Sequence, residues 1–216
     1  MTDILIKAAL GYLLGSIVGS LLVGRLRGGV DIRHLGSGNA GGTNALRTQG
    51  KAFAFWVLLI DIGKGWVATG LLAAARIPGI PAVPGLRAWA VAACGITVML
   101  GHVYPLWHGF RGGKGVATLI GAVLGALPVL LLPMLAVWLL AVILFGFVGL
   151  ASILGAAAFA VAAAVIGVAP RTPLLTFAVL SAVMIAFTHR SNIARMLAGT
   201  EPRARRLWLL GAARSR

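Results

Sequence analysis

VATLIGAVLGALPVLLLPMLAVWLLAVILFGFV, residues Val116–Val148, runs for 33 positions without a charged side chain. As one helix it would extend roughly 50 Å, against a hydrocarbon core of about 30 Å. Pro128 and Pro133 remove backbone donors within it, so the stretch must break. It reads as a short helix ending near Pro128, then a full-length helix, with another apolar run continuing to Val168. Outward from it lie comparable runs at Ile4–Val23, Ala52–Ala75, Ala88–Leu106 and Pro173–Phe187. The pattern predicts an all-α polytopic membrane protein of about seven transmembrane helices, forming one integral-membrane domain over residues 1–216. A five-span count keeps every loop on the same side.

Composition agrees. Of 216 residues, 60% are apolar or aromatic and 11% charged, whereas a soluble domain carries about 25% charge. The only carboxylate side chains are Asp3, Asp31, Asp61 and Glu201. The net charge of +15 suggests nucleic acid, but the cations sit in connectors between apolar runs rather than on one face. Arg25, Arg27, Arg33, Arg47, Lys51, Arg111, Lys114 and seven arginines from Arg190 to Arg216 fall on one side of a seven-span layout. Arg76, Arg87 and Arg171 fall on the other. The expected orientation has the N-terminus outside and the C-terminus cytoplasmic. MTDILIK has no basic n-region, so the first run is read as a retained span. Cys94 lies within an apolar run and is expected to be inert.

Gly11, Gly15 and Gly19, with Ser16, Ser20 and Gly24, make two small-residue ladders on the first run; Gly121 and Gly125 make another. Such ladders let helices approach closely in lipid. Asp61 and Lys64 stand three apart inside the second run, on one helix face, and are expected to satisfy each other as a structural pair.

Three polar clusters carry the chemistry, all on the expected cytoplasmic side. GSGNAGGTNALR, Gly36–Arg47, contains a GxGxxG at Gly36, Gly38 and Gly41, but no strand precedes it, so a dinucleotide fingerprint fails. Its closely spaced glycines still expose backbone N–H groups that suit an anion. Ser37, Asn39, Thr43 and Asn44 add polar groups, Thr43 or Asn44 could cap a following helix, and Arg47 offers a fork for phosphate. GHVYPLWHGFRGGKGVAT, Gly101–Thr118, fails a Walker A pattern because His108 and Gly115 occupy two of its required positions. It leaves Gly112, Gly113 and Gly115 around Lys114 at a helix start, a second anion site, with His102 and His108 flanking. In THRSNIARMLAGTEPR, Thr188–Arg203, residues His189, Asn192 and Arg195 recur every three positions. Glu201 is expected to pair with Arg205 or another cation.

Several chemistries are excluded. Four scattered histidines and one cysteine give no metal-ligand set, so no metal and no cofactor are expected. Asn39, Trp107, Gly113 and Ala194 lie five residues after the four histidines, so no H-x4-D acyltransferase pair exists. Four scattered carboxylates cannot supply paired acid/base catalysis.

At these clusters the sequence resembles the bacterial acyl-phosphate-dependent glycerol-3-phosphate acyltransferase family. The family's GSGNxGATN with a following Arg is matched by Gly36–Asn44 and Arg47, with Gly42 in place of Ala. Its GHxxPxF and FKGGKGVAT are matched by Gly101, His102, Pro105 and Phe110–Thr118, with Trp107 for Phe and Arg111 for Lys. Its third motif is matched by His189, Asn192, Ile193, Arg195, Gly199 and Glu201. The resemblance implies transfer of a fatty acyl group from acyl-phosphate to the 1-hydroxyl of sn-glycerol 3-phosphate, beginning phospholipid synthesis at the bacterial inner membrane. Expected partners are those two substrates, membrane lipid and a soluble enzyme that makes acyl-phosphate. The expected catalytic set is Ser37, Arg47, Lys114, His189 and Asn192. Gly36, Gly38, Asn39, Gly41, Thr43, Asn44, His102, Gly112, Gly113, Gly115, Thr118 and Arg195 are expected to bind substrate phosphate, while Asp61, Lys64 and Glu201 are structural. A membrane transporter of an anion or phosphate ester would use the same cations, but should carry polar groups through the midplane.

Overall fold

The computed structural model describes residues 1–81, 85–167, 169–204 and 207–208. Among them ten α-helices form and no strand: α1 Thr2–Gly15, α2 Gly19–Leu26, α3 Gly42–Gln49, α4 Lys51–Trp66 and α5 Arg87–Val103 come first. Then follow α6 Val116–Ala126, α7 Leu131–Phe145, α8 Val148–Ile166, α9 Arg171–Thr188 and α10 Arg190–Leu197. The chain gathers into two compact units, Met1–Pro128 and Val129–Arg216. Arg205, Arg206, Arg214 and Arg216, which entered the count of cations, lie outside the described residues.

The expected seven apolar segments are all helical, and they differ in length. Five helices are long and apolar enough to cross a membrane, and α1 with α2 would make a sixth if the bent pair is one span. At 11 residues, α6 reaches only about 16 Å, too short to cross alone. The expected helix through Ile4–Val23 bends by 44° between α1 and α2, without a proline. The cause comes from another helix. The Lys64 ammonium on α4 donates to the carbonyls of Gly15 and Ile17, at 2.9 and 2.7 Å, and Asp61 Oδ1 accepts the Gly19 N–H at 3.0 Å. Those contacts satisfy backbone groups that a break leaves orphaned.

The long Val116–Val148 stretch breaks where its proline demands. Leu127 leaves the helical region, Pro128–Leu130 makes a single 3-10 turn, and α7 then begins. A second break falls at Gly146, whose left-handed φ of +76° turns α7 into α8.

In the first unit, α1 packs on α5 and α4 on α6 through the glycine ladders. A Cβ at Gly15 would run into the Val98 backbone, and one at Gly121 into the Ile62 carbonyl. α4 continues through a π-turn at Val67–Leu71 to Ala74, where Thr69 Oγ1 donates to the Ala122 carbonyl at 2.8 Å. In the second unit, α8 packs against both α7 and α9, and the Phe159 and Phe177 rings meet edge to face at 5.5 Å. Leu132, Val161, Val165 and Val183 on α7, α8 and α9 turn outward, as do Phe55 and Trp56 on α4. Such apolar surface suits lipid, not water.

Candidate active site

The first glycine loop is built around Asn44. This side chain is 1% exposed, and its Nδ2 lies 2.9–3.0 Å from the carbonyls of Ile32, Leu35 and Asn39. Its Oδ1 accepts the Ser37 N–H at 3.0 Å. Asn44 therefore knots the loop from within. Neither it nor Thr43 caps α3, against expectation: the N-cap is Gly41, with no side-chain cap, and Asn44 is the third residue of the helix. Gly36 and Gly38 adopt φ of +57° and +71°, left-handed values that a β-carbon disfavours. Ser20 Oγ donates to the Ala40 carbonyl at 2.8 Å, fixing the loop to α2. Ser37, Thr43 and Arg47 are exposed on the loop and on α3.

The second loop crosses the end of α5. Gly112 N–H donates to the Val103 carbonyl at 3.0 Å and Gly113 N–H to the His102 carbonyl at 3.1 Å. Gly115, at φ +89°, is the N-cap of α6, so Lys114 directly precedes a helix N-terminus. Lys114 is half-buried, while Gly113, Gly115 and Thr118 are buried. Thr118 Oγ1, in the first turn of α6, has no hydrogen-bond partner.

Arg33 joins the two loops. Its Nη1 donates to the carbonyls of His108 and Arg111 at 3.0 and 2.9 Å, while Nε and Nη2 grip the Asp31 carboxylate at 2.7–3.1 Å. The guanidinium holds the Asp31 carboxyl below the usual carboxylate range, and the carboxylate in turn raises the Arg33 pKa. The loop is further tied by Tyr12 Oη donating to the Tyr104 carbonyl at 2.8 Å and by Leu106 N–H donating to Ser16 Oγ at 3.2 Å. Both glycine loops thus stand together at one end of the first unit. In the sequence Arg33 read only as a connector cation and Ser20 only as part of a small-residue ladder, and Tyr12 did not stand out; the only local signal for the loop ties was the Asp31–x–Arg33 spacing.

Beneath the second loop lies a buried cluster. Lys64 Nζ is 3.1 Å from Asp61 Oδ1, as the spacing of the pair led one to expect, and His102 Nδ1 joins them at 2.9 Å from Nζ and 3.3 Å from Oδ1. Asp61 Oδ2 has no hydrogen-bond partner.

The third segment belongs to the second unit. Glu201 does pair with a cation, and that cation is Arg195: its Nε donates to Oε2 at 2.7 Å, while Asn192 Nδ2 donates to Oε1 at 2.6 Å. Arg205 is outside the described residues. His189, at the start of α10, places Nδ1 2.8 Å from the Ile185 carbonyl. A carbonyl only accepts, so the hydrogen is on Nδ1 and Nε2 carries the lone pair in the neutral ring. The segment beyond α10 is clamped to the α7–α8 corner. The Arg203 guanidinium lies over the rings of Phe147 and Trp208, at 4.6 and 3.9 Å, and Trp208 Nε1 donates to the Leu144 carbonyl at 3.2 Å. Among the described residues no group of three or more His, Cys, Asp or Glu side chains could hold a metal ion.

Residues 5–199 match the family model for glycerol-3-phosphate acyltransferase. The glycerol-3-phosphate acyltransferase of Synechococcus sp. strain JA-3-3Ab is 40% identical, over 94% of this chain and 95% of its own length. That of Agrobacterium fabrum strain C58 is 41% identical, over 92% and 90%. The crystal structure of PlsY (YgiH), an integral membrane glycerol 3-phosphate acyltransferase, in its glycerol 3-phosphate form is also similar. It superposes with a TM-score of 0.82 at 34% identity, covering 93% of this chain and 94% of that one. Its lysophosphatidic acid form gives 0.81. With all-α architecture, five or six apolar spans and two glycine loops joined by Arg33, the chain belongs to the glycerol-3-phosphate acyltransferase family and is an integral-membrane acyltransferase.

Proposed function

We propose that this acyltransferase uses acyl-phosphate as donor and forms 1-acyl-sn-glycerol 3-phosphate and inorganic phosphate at the bacterial inner membrane. The observation that carries the reading is the pair of glycine loops at one end of the first unit, one of them leading through Lys114 into a helix N-terminus. Both proposed substrates bear a phosphate, and neutralising phosphate charge is what such loops do.

The hydroxyl oxygen of glycerol 3-phosphate attacks the acyl carbonyl carbon. The carbonyl–phosphate C–O bond breaks, and the leaving phosphate takes the hydroxyl proton, so that no protein base is consumed. An acyl-phosphate is a mixed anhydride with a good leaving group; charge stabilisation, not proton abstraction, is the principal task. Lys114, the first-turn N–H groups of α6 that follow Gly115, and the Gly36–Gly41 loop are assigned to phosphate, with Arg47 adding charge. In the second unit, Asn192 and Arg195 are set by Glu201, with His189 at the start of the same helix. Asn44 holds its loop and acts on substrate only through it.

A rapid-quench single turnover with acyl-labelled acyl-phosphate and glycerol 3-phosphate tests this. Label should pass into 1-acylglycerol 3-phosphate without ever residing on protein. Label trapped on Ser37 would overturn the direct route. A soluble acyl-phosphate-forming enzyme docking on the basic face is part of the same reading, and a low-salt pull-down should recover it.

A further inference from the structure

We infer that His102 is a positioning residue for the second glycine loop, held by Lys64 in the tautomer that carries its hydrogen on Nε2. The inference rests on reading that loop as a phosphate cradle, and its first test does not. His102 is 2% exposed, in the last turn of α5. Its Nδ1 lies 2.9 Å from Lys64 Nζ. An ammonium can only donate, and two N–H groups facing each other at that distance would repel, so Nδ1 is the acceptor. The other two ammonium hydrogens go to the carbonyls of Gly15 and Ile17. The third is shared between Nδ1 and Asp61 Oδ1, which explains how two acceptors stand only 3.3 Å apart. The single hydrogen of the neutral ring is therefore on Nε2.

That edge of the ring faces the loop. A Cβ at Gly113 would fall on His102 Nε2, with Cε1 and Cδ2 at 3.0 and 3.1 Å. Only a glycine lets the loop lie this close, and the same residue's N–H returns to the His102 carbonyl at 3.1 Å. Backbone and side chain of one histidine thus make the floor under Gly112 and Gly113, and the floor turns an N–H toward the loop, the polarity an anion held there favours. Lys64 and Asp61 cancel in charge, so what reaches the loop is a directed dipole and a fixed height. The chain through Lys64 also connects the loop to the break between α1 and α2.

The first test is 15N NMR of histidine-labelled protein in detergent, with His102 assigned by substitution. The expected spectrum has a protonated Nε2 and a hydrogen-bonded, unprotonated Nδ1, and Lys64→Met should abolish that signature. A protonated Nδ1 in the parent protein overturns the inference whether or not acyl transfer occurs. The second test compares His102→Gln, whose amide nitrogen can occupy the Nε2 position, with His102→Asn, whose amide reaches only the Nδ1 position. The KM for glycerol 3-phosphate should rise about tenfold more in the Asn variant than in the Gln variant, at similar kcat, the size of one hydrogen bond. Equal KM values in the two variants, or losses that simply follow their melting temperatures, would show a merely structural histidine.

Discussion

Asn44 illustrates how a residue placed in the binding set by its motif can be committed elsewhere. Its amide is occupied by three carbonyls and an N–H of its own loop, so Asn44→Ala should act on stability first. Losing these bonds in a buried position should cost about 2 kcal/mol, read as a lowered melting temperature, with activity falling in proportion to the folded loop. A variant with normal melting and no activity would return Asn44 to direct substrate contact. Arg33 makes a second prediction. Because Arg33 depresses the Asp31 pKa, the pair's contribution is full above 3.8, the ordinary carboxylate value, and fades as pH falls below it. Hydrogen exchange of residues 31–38 should therefore be flat from pH 7 to 5 after correction for intrinsic rates, and lose protection only in acid. Arg33→Lys, which cannot span Asp31 and both carbonyls, should raise exchange in the 108–111 turn at neutral pH as well. Asp61 and Lys64 were legible as a pair because they are three apart on one helix. Their third partner was not, since His102 lies 38 positions further on and only packing brings it back.

Helix by helix, the apolar runs and glycine ladders were readable because lipid imposes a simple pattern: long uncharged stretches, with small residues where backbones meet. Gly121 shows this most sharply. Gly121→Ala would push a methyl into the Ile62 carbonyl on α4, and should cost 1–3 kcal/mol of stability, as overpacking typically does. The bend between α1 and α2 was not readable, for its cause is an ammonium and a carboxylate reaching in from α4. Nor could periodicity show that α6 stops after 11 residues, because the apolar run continues past Pro128. In the second unit, Glu201 holds Asn192 and Arg195 together. Glu201→Gln replaces one acceptor oxygen by a donor and should lower kcat about tenfold or more, as expected for charge-assisted bonds. Unchanged kcat would show that the α10 arrangement does not matter to turnover.

Along the whole chain, apolar runs dominate and the polar side chains gather in a few short clusters. That economy is why composition alone identified a membrane protein, and why three short clusters stood out against it. Orientation is the whole-molecule property that the cations address. With Cys94 replaced by Ala, a cysteine at Lys51 should react with a membrane-impermeant maleimide only from the cytoplasmic face, and one at Pro78 only from outside. The reverse pattern would invert the topology. The central claim, that phosphate loops serve an acyl-phosphate donor, is tested most directly by offering purified protein labelled glycerol 3-phosphate with three donors in turn. These are acyl-phosphate, acyl-coenzyme A and acyl carrier thioester, with Lys114→Ala as control. The account requires labelled 1-acylglycerol 3-phosphate from acyl-phosphate alone, lost in the control. Product from a thioester, or undiminished turnover without Lys114, would contradict it.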